Sequence, residues 1–193
     1  LKTMLNDNPM ALGVWTGWDA NAFDGKDKDF AGKPGHDATG RYMPYWVRSG
    51  DKIIKEVLVD YTTPGAGDYY LLPHDQKKMV IIEPYLYPVG GKNVLMTTIV
   101  TPMMIDDNVP GVTGIDLSLD EIGKELSALK PMDVGFVGLV TAAGNIVSHP
   151  DAALNGKTLK DAAEKAEGWS SLIANPGKET ELTAADGTSH YAL

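Results

Sequence analysis

The spacing of apolar and polar positions changes several times along the chain, and each change marks a predicted element. Residues 1–12 read as the end of a helix, stopped by Asn8-Pro9 or by Gly13. From Trp15 to Thr39 the chain is rich in Gly, Asp, Asn and Lys with few periodic apolar residues, which predicts loop. Strands then follow in series. IIKEVLVDY (53–61) alternates, and KMVIIEPYLYP (78–88) runs apolar into a proline. Gly90-Gly91 predicts a turn, and NVLMTTIVTPMMI (93–105) predicts one long strand. At Asp106-Asp107-Asn108 the pattern predicts a hairpin turn, from which VPGVTGIDLSL (109–119) returns antiparallel.

LDEIGKELSAL (119–129) switches to helical spacing, with Ile122, Leu126 and Leu129 on one face and acids in the first turn. Lys130-Pro131 ends it. A shorter set follows: strand VGFVGLVT (134–141), a turn at 142–145, strand NIVSHP (145–150), a helical stretch LKDAAEKAEGWSSLI (159–173), and strands near 179–183 and 188–193. The pattern therefore predicts a strand-rich module, a connecting helix and a smaller module of the same style, divided near residue 129.

Composition narrows the possible functions. With 193 residues, 43% of them hydrophobic, the chain can bury one good core or two small ones. A net charge of −9 argues against a nucleic-acid face, because phosphate binding needs clustered Lys and Arg. Lys26, Lys28 and Lys33 are instead interleaved with Asp24, Asp27 and Asp29. There is no cysteine, so disulfides and thiolate metal sites are excluded. No apolar run approaches the roughly 20 residues that span a bilayer, and no signal peptide is visible. The chain begins at Leu1 and stops at Leu193 in mid-pattern, as a piece cut from a longer protein would.

Catalytic chemistry finds little support. The four histidines (36, 74, 149 and 190) are scattered, and no nucleophile elbow, P-loop or dinucleotide fingerprint occurs. DANAFDGKD (19–27) hints at a calcium loop, but its Gly25 falls at position seven instead of six, and Phe23 occupies a ligand position. Neither a metal, a cofactor nor an enzymatic activity is expected. Aromatic residues are the stronger signal. Seven of the eight tyrosines and three of the four tryptophans precede residue 90, and GRYMPYWVRSGDKI (40–53) crowds Tyr42, Tyr45 and Trp46 around Pro44. Such a skew reflects either the higher strand content of the first module or a pocket whose rings stack or cage a ligand.

Taken in order, GRYMPYW, GDYYLLP, EPYLYPVGGK and GVTGIDLSLDEI, followed by GNIVSHPDAALNGKTL (144–159), resemble the double Cache sensor domains of methyl-accepting chemotaxis receptors and sensor kinases. The resemblance covers essentially the whole chain. It implies an α+β fold of two PAS-like modules with antiparallel sheets behind a long N-terminal helix. Residues 1–12 would end that helix, 13–118 would form the membrane-distal, ligand-binding module, 119–129 the connecting helix and 130–193 the membrane-proximal module. It also implies an extracytoplasmic domain of a membrane-anchored receptor, a small-molecule ligand, and a homodimer formed through the N-terminal helix.

In amino-acid-sensing members, an Arg two positions before a Trp-Tyr pair grips the ligand carboxylate, and two aspartates hold its ammonium. Here the pair is Tyr45-Trp46, Met43 stands at the arginine position, Tyr87 at the first aspartate position, and Asp116 at the second. Without a guanidinium, a buried ligand carboxylate would be unpaired, so an α-amino acid is disfavoured. The site expected is a box of Tyr45, Trp46, Tyr85 and Tyr87 with Asp116, and with Tyr69, Trp18 and Thr98 as lesser candidates. Its first-choice ligand is a purine-like heterocycle, stacked on a ring and hydrogen-bonded by Asp116. The alternative is a quaternary or other amine held by cation–π attraction. More remote are a structural or adhesion domain, and a hydrolase using Asp68, Glu83 or Asp116.

Overall fold

The structure, a computed structural model, describes residues 1–133, 135–162, 171, 174–175, 177–183 and 189–192. The chain divides into two compact units, Leu1–Ser118 and Leu119–Leu193.

The first unit is built on one antiparallel sheet. Its strands are β1 (Gly13–Trp18), β2 (Pro44–Ser49), β3 (Lys52–Val57), β4 (Val80–Ile81), β5 (Tyr85–Val89), β6 (Lys92–Ile105) and β7 (Asn108–Ser118). They lie in the order β3-β2-β1-β7-β6-β4, and β5 pairs with the other end of the long β6. Three helices accompany them: α1 (Lys2–Asp7), the single-turn α2 (Asp27–Phe30) and α3 (Asp68–Gln76). β6 and β7 form the hairpin that the Asp106-Asp107 turn predicts, and Gly90-Gly91 turns β5 into β6. The α+β class and the antiparallel sheet agree with the sequence reading.

Because successive strand residues point to opposite faces, each strand contributes to two different layers. One face carries the main core, with Trp15, Tyr45, Val47, Tyr87, Met96, Val100 and Val112 buried together against Tyr69 and Tyr70 of α3. The other face meets α1. There Leu5, Ala11 and Val14 are buried, with Trp46, Ile53 and Ile115 packed around them. Arg48 of β2 ties this layer down. Its Nη2 donates to the Leu5 carbonyl at 2.5 Å and its Nε to the Ala11 carbonyl at 3.0 Å.

One element departs from the sequence expectation, and another stands where the pattern predicted none. The stretch 15–39 contains most of β1, a central strand, rather than loop alone. Residues 68–76 form α3 despite Pro73 inside it. Pro73 is the sixth residue of α3, so the helix forgoes the bond that an N–H there would give to the Tyr69 carbonyl, and it ends three residues later at Gln76.

The second unit holds α4 (Leu119–Ser127), the short pair β8 (Leu139–Val140) and β9 (Ile146–Ser148), α5 (Leu159–Ala162), and the pair β10 (Thr180–Thr183) and β11 (Ser189–Ala192). The strand expected over 134–141 is confined to Leu139–Val140; residues 135–138 have no regular structure, and Val134 lies outside the described residues. Most of the helix expected to residue 173 also lies outside them, as do 188 and 193 at the last strand.

Leu5 is fully buried between α1 and the sheet. Leu5→Ala is expected to cost about 2–4 kcal/mol of unfolding free energy in this unit, from lost transfer energy and the void left behind. Urea denaturation followed by tryptophan fluorescence measures it.

Candidate functional site

The chemistry of the first unit concentrates at Asp116, in the middle of the sheet. Its strand, β7, lies between β1 and β6, and the register sets Gly13 on one side of Asp116 and Thr98 on the other. The carboxylate is buried, 2% exposed. Its Oδ1 accepts two hydrogen bonds, from Trp15 Nε1 at 3.0 Å and from Thr98 Oγ1 at 2.7 Å. The Tyr85 hydroxyl extends this chain by bonding Thr98 Oγ1 at 2.8 Å. Among the described residues no Lys, Arg or His pairs with Asp116.

Five rings surround the carboxylate. Trp15 meets Tyr69 edge-on, with centroids 5.2 Å apart and an interplanar angle of 80°. Tyr87 is near-perpendicular to Tyr45 (5.7 Å, 85°), to Tyr69 (5.6 Å, 89°) and to Tyr85 (6.1 Å, 77°). Only Tyr69 and Tyr85 lie near parallel, at 6.4 Å and 12°. Two glycines let the rings reach the carboxylate. A Cβ on Gly13 would stand 2.4 Å from Tyr45 Cε2, and one on Gly114 would stand 2.4 Å from Trp15 Cζ2. Each ring thus passes over a neighbouring strand at a point where no side chain rises.

Hydrogen bonding fixes the ring edges. Val59, in the loop between β3 and α3, uses both halves of its backbone: its N–H donates to the Tyr87 hydroxyl at 3.0 Å, and its carbonyl accepts from the Tyr69 hydroxyl. The Tyr45 hydroxyl differs. It is buried against the Asp116 carboxylate and not against the Val59 backbone.

Burial dominates the electrostatics. It pushes the Asp116 carboxyl up to about 6, although the bonds from Trp15, Thr98 and Tyr45 pull the other way. It likewise pushes the Tyr87 hydroxyl up to about 12 and raises Tyr45, Tyr69 and Tyr85 further, so every tyrosine of the box is neutral at physiological pH. The box therefore offers one carboxylate, ionised at neutral pH, inside a ring of aromatic faces and neutral hydroxyls.

Six of the eight residues expected from sequence converge here: Tyr45, Tyr69, Tyr85, Tyr87, Thr98 and Asp116. Two do not. Trp46 follows Tyr45 on β2 and so points to the opposite face, where it packs near Leu5 and Val14 beneath the ammonium groups of Lys2 (5.4 Å) and Lys55 (5.8 Å). Trp18 also lies on the face opposite Trp15. Its Nε1 donates to Thr16 Oγ1 at 3.2 Å, and its ring meets Phe23 at 5.0 Å. Trp15 is the residue that sequence reasoning missed. The Val-Trp-Thr triplet was a strand signal, but Gly13 and Gly17 around it read as loop.

Beyond the box, α3 is anchored on its other side. The Tyr70 hydroxyl accepts from Arg41 Nη2 at 2.9 Å and donates to Asp19, which His74 Nε2 also meets at 3.0 Å. Among the described residues no group of three or more His, Asp or Glu could hold a metal ion, and no helix is long and apolar enough to cross a membrane.

Known proteins share this architecture. TlpQ, a methyl-accepting chemotaxis protein of Pseudomonas aeruginosa, is 32% identical over 178 residues, 84% of this chain; the chain spans 25% of TlpQ. The crystal structure of the extracellular domain of mmHK1S-Z3 superposes with a TM-score of 0.85 at 33% identity, covering 99% of this chain and 70% of that one. Methyl-accepting Chemotaxis protein X gives a TM-score of 0.76 at 28% identity, covering 94% and 70%. The model of the methyl-accepting chemotaxis protein-like first PDC sensor domain matches residues 1–124, and the chain belongs to that family of chemoreceptor sensor domains, which is not an enzyme family.

Proposed function

We propose that the chain is the extracytoplasmic sensing part of a transmembrane receptor, and that the box around Asp116 binds a small organic cation. Residues 13–118 act as the membrane-distal, ligand-binding module and 130–193 as the membrane-proximal one. The observation that carries the ligand class is the carboxylate itself. Asp116 is buried, bonded only by neutral donors, and unpaired with any cationic side chain among the described residues. Such a charge is costly to keep unless a cation completes it. An ammonium group supplies that charge, and the surrounding ring faces attract it further.

This reverses the order suggested by sequence, where a purine-like ligand came first. A stacked heterocycle needs a flat ring platform, and Trp46, one of the rings expected to offer it beside the tyrosines, lies on the other face of the sheet. Most ring pairs of the box are perpendicular, which suits a compact cation better than a plane. The near-parallel pair Tyr69–Tyr85 is the one observation favouring a flat heterocycle, which keeps that ligand as the second reading. The receptor responds by unequal affinity for two states of the domain, without turnover.

The raised carboxyl gives this reading a pH signature. Between its ordinary value of 3.8 and about 6, the unfolded chain releases the Asp116 proton while the folded domain keeps it. The penalty for burying the charge is therefore absent below pH 4, grows as pH rises, and is complete above pH 6, at about 3 kcal/mol. Asp116→Asn should accordingly raise the thermal midpoint of the unliganded domain at pH 7.5 and leave it unchanged near pH 4. Melting curves at the two pH values measure this.

Amine binding should show the converse. Calorimetric affinity for small alkylammonium ions is expected to be level above pH 6.5 and to fall towards tenfold per pH unit below 5.5, as Asp116 takes up its proton. Asp116→Asn should cost at least about a hundredfold at neutral pH, since it removes the only counter-charge. Tight binding of adenine or guanine with no alkylammonium binding would favour the second reading.

A further inference from the structure

Resting on the cation reading, the least buried wall of the box addresses how a ligand reaches Asp116. Trp15, Tyr45, Tyr69, Tyr87, Thr98 and Asp116 are each at most 5% exposed. Tyr85 is partly exposed. Its two ring contacts, at 6.1 and 6.4 Å, are also the longest of the box, where the others are 5.2, 5.6 and 5.7 Å. The backbone before it is irregular. Between Ile81 and Tyr85 stand three residues, Ile82, Glu83 and Pro84, while β6 has only Thr97 and Thr98 between the facing Ile99 and Met96. Such a bulge bends a strand and re-aims the side chain beside it, and Pro84 brings no N–H to the ladder. The Tyr85 hydroxyl is held by Thr98 Oγ1 at 2.8 Å, and counting protons fixes the direction of that bond. Thr98 has one hydroxyl proton and gives it to the ionised Asp116 carboxylate at 2.7 Å, so Tyr85 is the donor. A neutral O–H thus occupies the Thr98 lone pair that lies next to the carboxylate.

We propose that Tyr85 is the door of the box, and that an entering ammonium group displaces its hydroxyl from Thr98 and takes over the hydrogen bond it gives. A charged N–H is a stronger donor than a phenol, and beside a carboxylate it also gains the attraction of opposite charges. The exchange sets the cation on Thr98 Oγ1 and Asp116 together. The displaced phenol leaves on the side of the box that already meets solvent, where water can pair its hydroxyl, so no polar group is left buried and unpaired. The same side gives the organic substituent of the cation a way out. Tyr85 is then a competitor of the ligand for Thr98, whereas Asp116 is its partner.

Calorimetry and stopped-flow tryptophan fluorescence with methylammonium and n-butylammonium at pH 7.5 test this. Tyr85→Phe keeps the ring and removes the competing O–H, so it is expected to bind both ions about threefold to tenfold more tightly and to associate faster. Thr98→Val removes the contested oxygen and should weaken binding. In that background Tyr85→Phe should shift affinity by less than about twofold, since nothing is left to compete for. The unaltered protein offers an independent measurement, hydroxyl-radical footprinting resolved by tandem mass spectrometry. Tyr85 should become more reactive on adding methylammonium, while Tyr87 stays protected. Weaker or unchanged binding by Tyr85→Phe, or protection of Tyr85 by methylammonium, would overturn the door and leave the cation reading standing. Failure of both ions to bind the unaltered protein would overturn the cation reading, and this inference with it.

Discussion

A single carboxylate in the centre of an antiparallel sheet organises the first unit. Asp116 lies on β7 with β1 and β6 on either side, and each neighbour supplies one neutral donor, Trp15 or Thr98. Those bonds keep the charge tolerable without cancelling it. The tyrosines then enclose the carboxylate in a low-polarity shell that keeps water out. Burial raises the carboxyl, neutrality of the tyrosines follows from the same burial, and the rings pack mostly edge to face around it. The chemistry of the box thus follows from where one aspartate sits.

The glycines are the second constraint. In most strands a glycine weakens the ladder and packs nothing. Gly13 and Gly114 do the opposite of weakening this site, because the space above each is filled by an aromatic ring belonging to a neighbouring strand. Tyr45 crosses over the first and Trp15 over the second, and both arrive beside Asp116. The sheet can bring bulky rings to a central carboxylate only because it is bare at those two points.

The sequence spoke clearly where local pattern and tertiary environment agree. The β6–β7 hairpin has long apolar runs closed by an Asp-Asp-Asn turn, and Tyr85, Tyr87 and Asp116 could be placed from the motifs around them. It was silent where they conflict. β1 read as loop because its core-facing positions are Gly13, Trp15 and Gly17, two of which lack the side chain that makes alternation visible. α3 was hidden by Pro73 and by a buried face made of tyrosines instead of aliphatic residues. Trp46 was misplaced for a different reason. Its aromatic character suggested a pocket, but strand parity puts it opposite Tyr45, and parity is decided by register rather than by residue type.

The Val59 backbone holds Tyr87 by its N–H and Tyr69 by its carbonyl, so one residue of an irregular loop fastens two walls of the box at once. Both hydroxyls lose a backbone partner if that short piece of chain turns away. The loop therefore behaves as a single latch rather than as two independent contacts. Its consequence is reach: a change confined to one short stretch of backbone is felt at once by two rings of the core, one on α3 and one on β5.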